Sequence, residues 1–312
     1  MQTGSLITQI IIMFLLMATG LLIHKLKMMS AETSKQLVNI LFLVISPCLI
    51  IHSFQKPFSA NRLHGLMIAF FMSMLFFLIS SIVSHLSFLK VKDPAIRTIT
   101  EFGSIYPNMG FLGIPLAQAV LGSAGVFYAA PMLAASNIFT WSAGVNLYRS
   151  HGQTGKRKFS TVLLKIMLNP NIIAIIAGIL IFLFSVSLPS PVTQAISYIS
   201  DANTPLAMFV VGDSLAQFHW NREAFNIPVF AALILRNLVL PLGCALLYPL
   251  FGLHGTAFWA TVLLSACPSA SMCVLFAVQE DMDPTSGISL MTISTVSCIF
   301  TIPLVFAAAG AL

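Results

Sequence analysis

SIYPNMGFLGIPL, Ser104–Leu116, is the stretch on which the fold turns. It lies inside an apolar run, yet Pro107 removes a backbone donor and Asn108, Gly110 and Gly113 weaken helical continuity on its far side. A helix over 98–119 should therefore break near its middle. Counted from about Thr98, Asn108 is roughly 15 Å along the helix, close to the midplane of a bilayer. A second stretch, SACPSASMCVLFA at Ser265–Ala277, repeats the arrangement, with Pro268 roughly 18 Å from its helix start.

The composition around these breaks is that of an integral membrane protein. Of 312 residues, 58% are hydrophobic and 8% charged, with 15 Lys or Arg against 9 Asp or Glu. So few charges do not cover a water-facing globule of this size, and a soluble fold is excluded. Apolar runs predict ten spans at roughly 5–24, 37–55, 63–86, 98–119, 124–147, 168–187, 192–217, 225–249, 256–278 and 285–309. The runs are about twice the length of a barrel strand and do not alternate apolar with polar, so helices are expected throughout. Ten spans use about 210 residues and leave no room for a soluble catalytic or nucleic-acid-binding domain. The formal charge of +6 is scattered over short loops, with one cluster at Lys156–Lys158, so orientation explains it better than a nucleic-acid partner.

Placing the amino terminus outside puts twelve basic residues in cytoplasmic loops and leaves Lys56 and Arg62 outside. Both termini are then external, and the first apolar run, with no basic region before it, reads as a retained span. The five cysteines fall in or near apolar runs and suggest no disulfide framework. Neither they nor the histidines have ligand spacing, so no metal and no cofactor is expected.

Two proline features recur at nearly constant offset. Ser46-Pro47 answers Thr204-Pro205 at 158 residues, and Pro107 answers Pro268 at 161. The chain reads as two halves, 1–150 and 168–312, joined by a cytoplasmic linker at 151–167. Five spans per half is an odd number, so the second half enters the membrane inverted, an arrangement characteristic of secondary transporters. The expected fold is all-α, with ten transmembrane helices in a five-plus-five inverted repeat and broken helices 4 and 9.

A break at the midplane leaves N–H groups that lipid cannot satisfy. The half-helices after Pro107 and Pro268 present positive dipole ends, and with Asn108, Ser269 and Ser271 they make an anion cradle that suits a carboxylate. Tyr106, Gly110, Ser46 and Thr204 complete the candidate site. Kinking and close packing are the plainer reading of either break alone, and the recurrence favours a site. Tyr106 abuts the break, whereas Trp141, Trp220 and Trp259 read as packing or interfacial residues.

Two charges are counted deep in the membrane, Asp201 and Arg236, and an ion pair between them is expected ahead of a transport role. Asp213 and Glu101 fall near helix ends and are expected to reach interfacial water. Asp201 and Glu101 are the acids to test for proton coupling.

YPNMGFLGIPL, TPLAMFVVGDSL at Thr204–Leu215 and LRNLVLPL at Leu235–Leu242 resemble segments of the auxin efflux carrier family, which includes plant auxin carriers and bacterial carboxylate permeases. The resemblance covers essentially the whole chain. It implies a scaffold domain, a transport domain that moves in elevator fashion, and a substrate held where helices 4 and 9 cross, with Pro107, Asn108 and Pro268 at the crossing. A homodimer through the scaffold would follow from it. Where relatives often carry Asn in the ninth helix, this chain has Ser269 and Ser271.

The leading expectation is a transporter of a small carboxylate, such as malonate, malate or an auxin-like acid, in the inner or plasma membrane. Proton- or sodium-coupled transport of another solute is the alternative. An intramembrane enzyme is weakly suggested, because Gly212-Asp213 is similar to an element of intramembrane aspartyl proteases, and a channel or receptor would use similar spans. Saturable counterflow separates a carrier from these.

Overall fold

A computed structural model describes residues 3–149, 159–217 and 226–311. The basic cluster at Lys156–Lys158, Trp220 and Arg222 lie outside the described residues. Those described form helices, with no strand among them.

Helix α1 covers Thr3–Lys25. α2 (Ala31–Ile40), a π turn (Leu41–Ile45) and α3 (Ser46–Phe54) make one continuous rod. It starts six residues before the apolar run, because the Ser30 side chain caps it by accepting from the Thr33 N–H at 3.1 Å, so AETSKQ winds as a polar first turn. α4 (Ala60–Phe88) is uninterrupted. α5 (Pro94–Ile105) opens on an Asp93 cap and stops at the first break. Beyond it a π turn (Met109–Gly113) leads into α6 (Ile114–Phe139), a further π turn (Thr140–Gly144) and α7 (Val145–Arg149). Within α6, Gly122 has φ 63° and ψ −160°, a conformation favouring glycine, and the helix is kinked there.

α8 (Phe159–Met167) and α9 (Pro170–Leu183) meet at a bend of 61°. α10 (Ser190–Asp201) and α11 (Asn203–Ala216) are separated at Ala202, a break the apolar run 192–217 does not reveal. α12 (Ile227–Ile234), a π turn (Leu235–Val239), α13 (Leu240–Leu247) and a short 3-10 turn (Tyr248–Phe251) form another rod. α14 (Gly255–Ser265) and α15 (Met272–Gln279) flank the second break, and α16 (Thr285–Gly310) ends the chain. Ahead of α16 the Asp283 carboxylate accepts from the Thr285 hydroxyl at 2.5 Å and the Thr285 N–H at 3.0 Å, which holds its pKa below the usual carboxylate range.

Six of these rods are long and apolar enough to cross a membrane, and the bent pair α8–α9 makes a seventh. Large apolar side chains stand exposed on their outer faces, among them Leu15, Phe71 and Phe300, a surface that only lipid or another apolar partner covers. The chain is a multi-pass membrane protein.

α1 packs lengthwise on α11, and α3 on α9. The first contact is between backbones: a Cβ built on Gly212 would strike the Met17 carbonyl, and one on Gly20 the Phe209 backbone. Gly212→Leu is therefore expected to lower stability by about 1–3 kcal/mol through overpacking. The measurement is Tm in detergent. Gly243→Ala, whose Cβ would meet nothing within 4 Å and which lies inside α13, should not lower Tm.

Candidate functional site

The two breaks meet. Tyr106 leaves α5 in an extended conformation (φ −101°, ψ 109°), and Pro107 and Ser269 form an antiparallel bridge. The Asn108 N–H donates to the Pro268 carbonyl at 2.7 Å, and the Ala270 N–H donates to the Tyr106 carbonyl at 2.9 Å. Each break thus satisfies two backbone groups of the other.

Four helix ends converge on this crossing, and they sort by charge. On the carbonyl side, α5 and α14 end against Arg236, which is fully buried. Its guanidinium donates to the Ser104 carbonyl at 3.0 Å, the Ile105 carbonyl at 2.8 Å and the Ser265 carbonyl, and lies 5.5 Å from the Phe76 ring centroid. Each helix C-terminus carries roughly half a negative charge, so two of them match one guanidinium. This overturns the expected pair with Asp201, which is exposed at the end of α10. The arginine is held by backbone dipoles.

On the N–H side, the π turn at Met109 and helix α15 begin at a cavity of about 160 Å³. The Asn108 side-chain oxygen caps the π turn by accepting from the Phe111 N–H at 3.3 Å, so the Nδ2 amide is what the side chain has left to offer. The N–H groups of Gly110, Ser271 and Met272, all lining residues, make no hydrogen bond. A Cβ on Gly110 would meet nothing within 4 Å, so its backbone is open to a ligand. No Lys, Arg, His, Asp or Glu lines this cavity among the described residues.

Of the residues named from the sequence, Tyr106, Pro107, Asn108, Gly110, Ser271 and Ser46 line the cavity. Pro268 and Ser269 build the crossing from behind. Ser269 is fully buried, its N–H donating to the Ser294 hydroxyl at 3.0 Å. Thr204 is turned away and donates to the Pro115 carbonyl at 3.4 Å, while its neighbour Asn203 lines the wall. The Tyr106 hydroxyl is occupied with the Phe139 carbonyl at 3.2 Å, and its ring packs 4.3 Å from that of Phe102. Trp141 lines the wall, and Trp259 stacks on Phe306 at 5.0 Å.

Sequence reading missed four cavity amides: Asn137, Asn169, Asn171 and Asn203. The signal that marked Asn108, an amide within an apolar run, was present at each.

The other acids are corrected as well. Asp213 is buried, its carboxylate 2.8 Å from His24 Nδ1 and accepting from Gln217 Nε2 at 3.0 Å. The tight packing of α1 on α11 removes it from water. Glu101 is buried beside His85 Nδ1 at 3.0 Å, with Arg97 Nε at 3.9 Å, and lines a separate cavity of about 360 Å³ with Lys92.

The model of a family described as "Membrane transport protein" matches residues 5–306. An "Uncharacterized transporter" of Methanothermobacter thermautotrophicus is 28% identical over 63% of this chain and 63% of its own length, so that alignment spans less than two thirds of the relative. Another of Methanocaldococcus jannaschii is 25% identical over 95% of this chain and 96% of its own. A protein of Rhizobium meliloti named "Putative malonate transporter" is 26% identical over 69% of this chain and 68% of its own.

Proposed function

Because the chain belongs to the membrane transport protein family, we propose that it is a secondary transporter carrying a small organic anion by alternating access, with the carboxylate held at the crossing of the two breaks. One observation carries this reading. Two helix N-termini with unbonded N–H groups face a cavity that no charged side chain lines among the described residues, while the matching C-termini are neutralised by Arg236. The cavity therefore carries roughly one net positive charge made of peptide dipoles, which suits a monoanion and holds it less tightly than a fixed cation would. The name of the Rhizobium meliloti relative agrees with a carboxylate.

The ten-span inverted repeat, with halves at 1–150 and 168–312, belongs to the same proposal. Its support is reciprocal packing. The rod α2–α3 meets α9 as α1 meets α11, and α5 meets α12 as α14 meets α4. In this reading α1, α3, α9 and α11 form the scaffold, which is also the surface for a homodimer, and the crossing rides in the other bundle. The excess of basic residues in the loops assigned to the cytoplasm supports external termini, in an inner or plasma membrane. Asn169 and Asn171 of the cavity wall follow the 150–158 connection, which loop charge assigns to the cytoplasm, and this supports access to the site from that side. Of the acids named from the sequence, Glu101 with His85 is the pair suited to proton coupling.

The test is uptake of labelled short carboxylates into proteoliposomes, with a membrane potential and a pH gradient imposed separately. Saturable uptake with counterflow is expected. A potential alone drives a uniporter, at about 2.3 kcal/mol per charge per 100 mV, whereas dependence on the pH gradient marks proton coupling. Linear, non-saturable flux, or none from folded protein, would sink the proposal.

A further inference from the structure

The cavity has a second polar wall that the carboxylate cradle does not use. Ser46 at the start of α3, Asn171 in α9 and Asn203 at the start of α11 come from helices that take no part in the crossing, and all three line the cavity. Each is more than nine-tenths buried and each holds a polar atom with no hydrogen-bond partner: Ser46 Oγ, Asn171 Oδ1 and Asn203 Nδ2. Their neighbours are occupied. Asn169 Nδ2 donates to Asn137 Oδ1 at 2.8 Å, and Asn137 Nδ2 donates to the Leu133 carbonyl at 2.9 Å. Buried polar atoms are costly to leave unpaired, and the three residues that hold these atoms share one cavity wall, which marks the place of a ligand group.

The chemistry of this wall is specific. Two amides and a hydroxyl both donate and accept, and none is charged. The N–H ends at the crossing supply roughly one unit of positive charge in total, which a single carboxylate uses up. An ionised second carboxylate would enter this wall with no cation to meet it.

We propose that Ser46, Asn171 and Asn203 form a second subsite for an uncharged hydrogen-bonding head of the same substrate, which is therefore a short bifunctional acid bound as a monoanion. The head is a hydroxyl, a carboxamide or a protonated carboxyl. This rests on the reading of the crossing as a carboxylate cradle.

Four labelled acids of similar length test it in proteoliposomes of the full chain: propionate, 3-hydroxypropionate, malonamate and malonate. 3-Hydroxypropionate and malonamate should half-saturate uptake at concentrations about tenfold or more below propionate, since a wall built to hydrogen-bond rejects the analogue that lacks the head. For malonate the apparent affinity should weaken with rising pH once its second carboxyl ionises, while that for malonamate stays level. Asn203→Leu, close in volume, should collapse the preference for malonamate over propionate to within about twofold. Ser46→Ala should narrow it in the same direction, which keeps the test open if Asn203→Leu fails to fold.

Propionate taken up as well as the bifunctional acids, an unchanged preference in the folded variants, or a malonate affinity indifferent to pH would overturn the subsite. If propionate moves saturably without any preference, the cradle stands and only the subsite falls. If none of the four moves, both fall together.

Discussion

Asn108→Asp is expected to abolish saturable carboxylate flux while leaving the fold intact. Asn108 does two things, capping the π turn through its side-chain oxygen and facing the cavity with its amide. Aspartate keeps the first, because a carboxylate oxygen accepts from the Phe111 N–H at least as well as an amide oxygen. It reverses the second. A fixed negative charge about 4 Å from the bound carboxylate costs roughly 4 kcal/mol at the effective dielectric of a partly solvated site, about a thousandfold in affinity. Asn108→Ser, which is neutral and still caps, should lose far less. The comparison is flux in proteoliposomes beside Tm in detergent. Normal carboxylate flux through Asn108→Asp would remove the anion from the crossing, whatever the protein carries.

Arg236→Met should give a large loss of stability. The methionine fills part of the volume but leaves the carbonyls of Ser104, Ile105 and Ser265 facing one another, with two negative helix ends converging and no compensating charge. Removing one partner of a buried charge arrangement costs about 3–5 kcal/mol. Arg236→Lys should fall between, because an ammonium supplies the charge but not the planar fork that reaches carbonyls on two helices at once. Thermal unfolding in detergent ranks the three proteins, and hydrogen exchange at the ends of α5 and α14 locates the damage. A Tm for Arg236→Met equal to that of the unsubstituted chain would mean that the guanidinium is incidental to the crossing.

The crossing was legible because it is written in local signals. Pro107 and Pro268 sit at matching depth in apolar runs, and Asn108 is an amide where lipid offers no partner. Apart from the four cavity amides, what escaped was written in the backbone or at a distance. Arg236 and Asp201 invite pairing as opposite charges, yet the partners of the arginine are carbonyl oxygens, which a string of side chains does not display. Asp213 and His24 lie 189 positions apart and meet only because Gly20 and Gly212 let two helices touch. The break at Ala202 has no proline until Pro205, so the run 192–217 reads as one helix. Ser269 is expected from the sequence to serve through its side chain, yet its part in the crossing is played by its backbone, while its hydroxyl is buried away from the cavity.

Four turns of the chain, at Leu41–Ile45, Met109–Gly113, Thr140–Gly144 and Leu235–Val239, are π rather than α, and the first three contribute residues to the cavity wall. Such a turn accommodates one extra residue, and one residue of α-helix is an advance of about 100°. Each therefore acts as a phase offset in the rod that contains it. A relative one residue shorter at Thr140–Gly144 would keep Asn137 and Trp141 in its alignment yet turn one of them out of register with the other. Selectivity in such a lineage can thus drift by insertion and deletion, with every lining residue apparently retained.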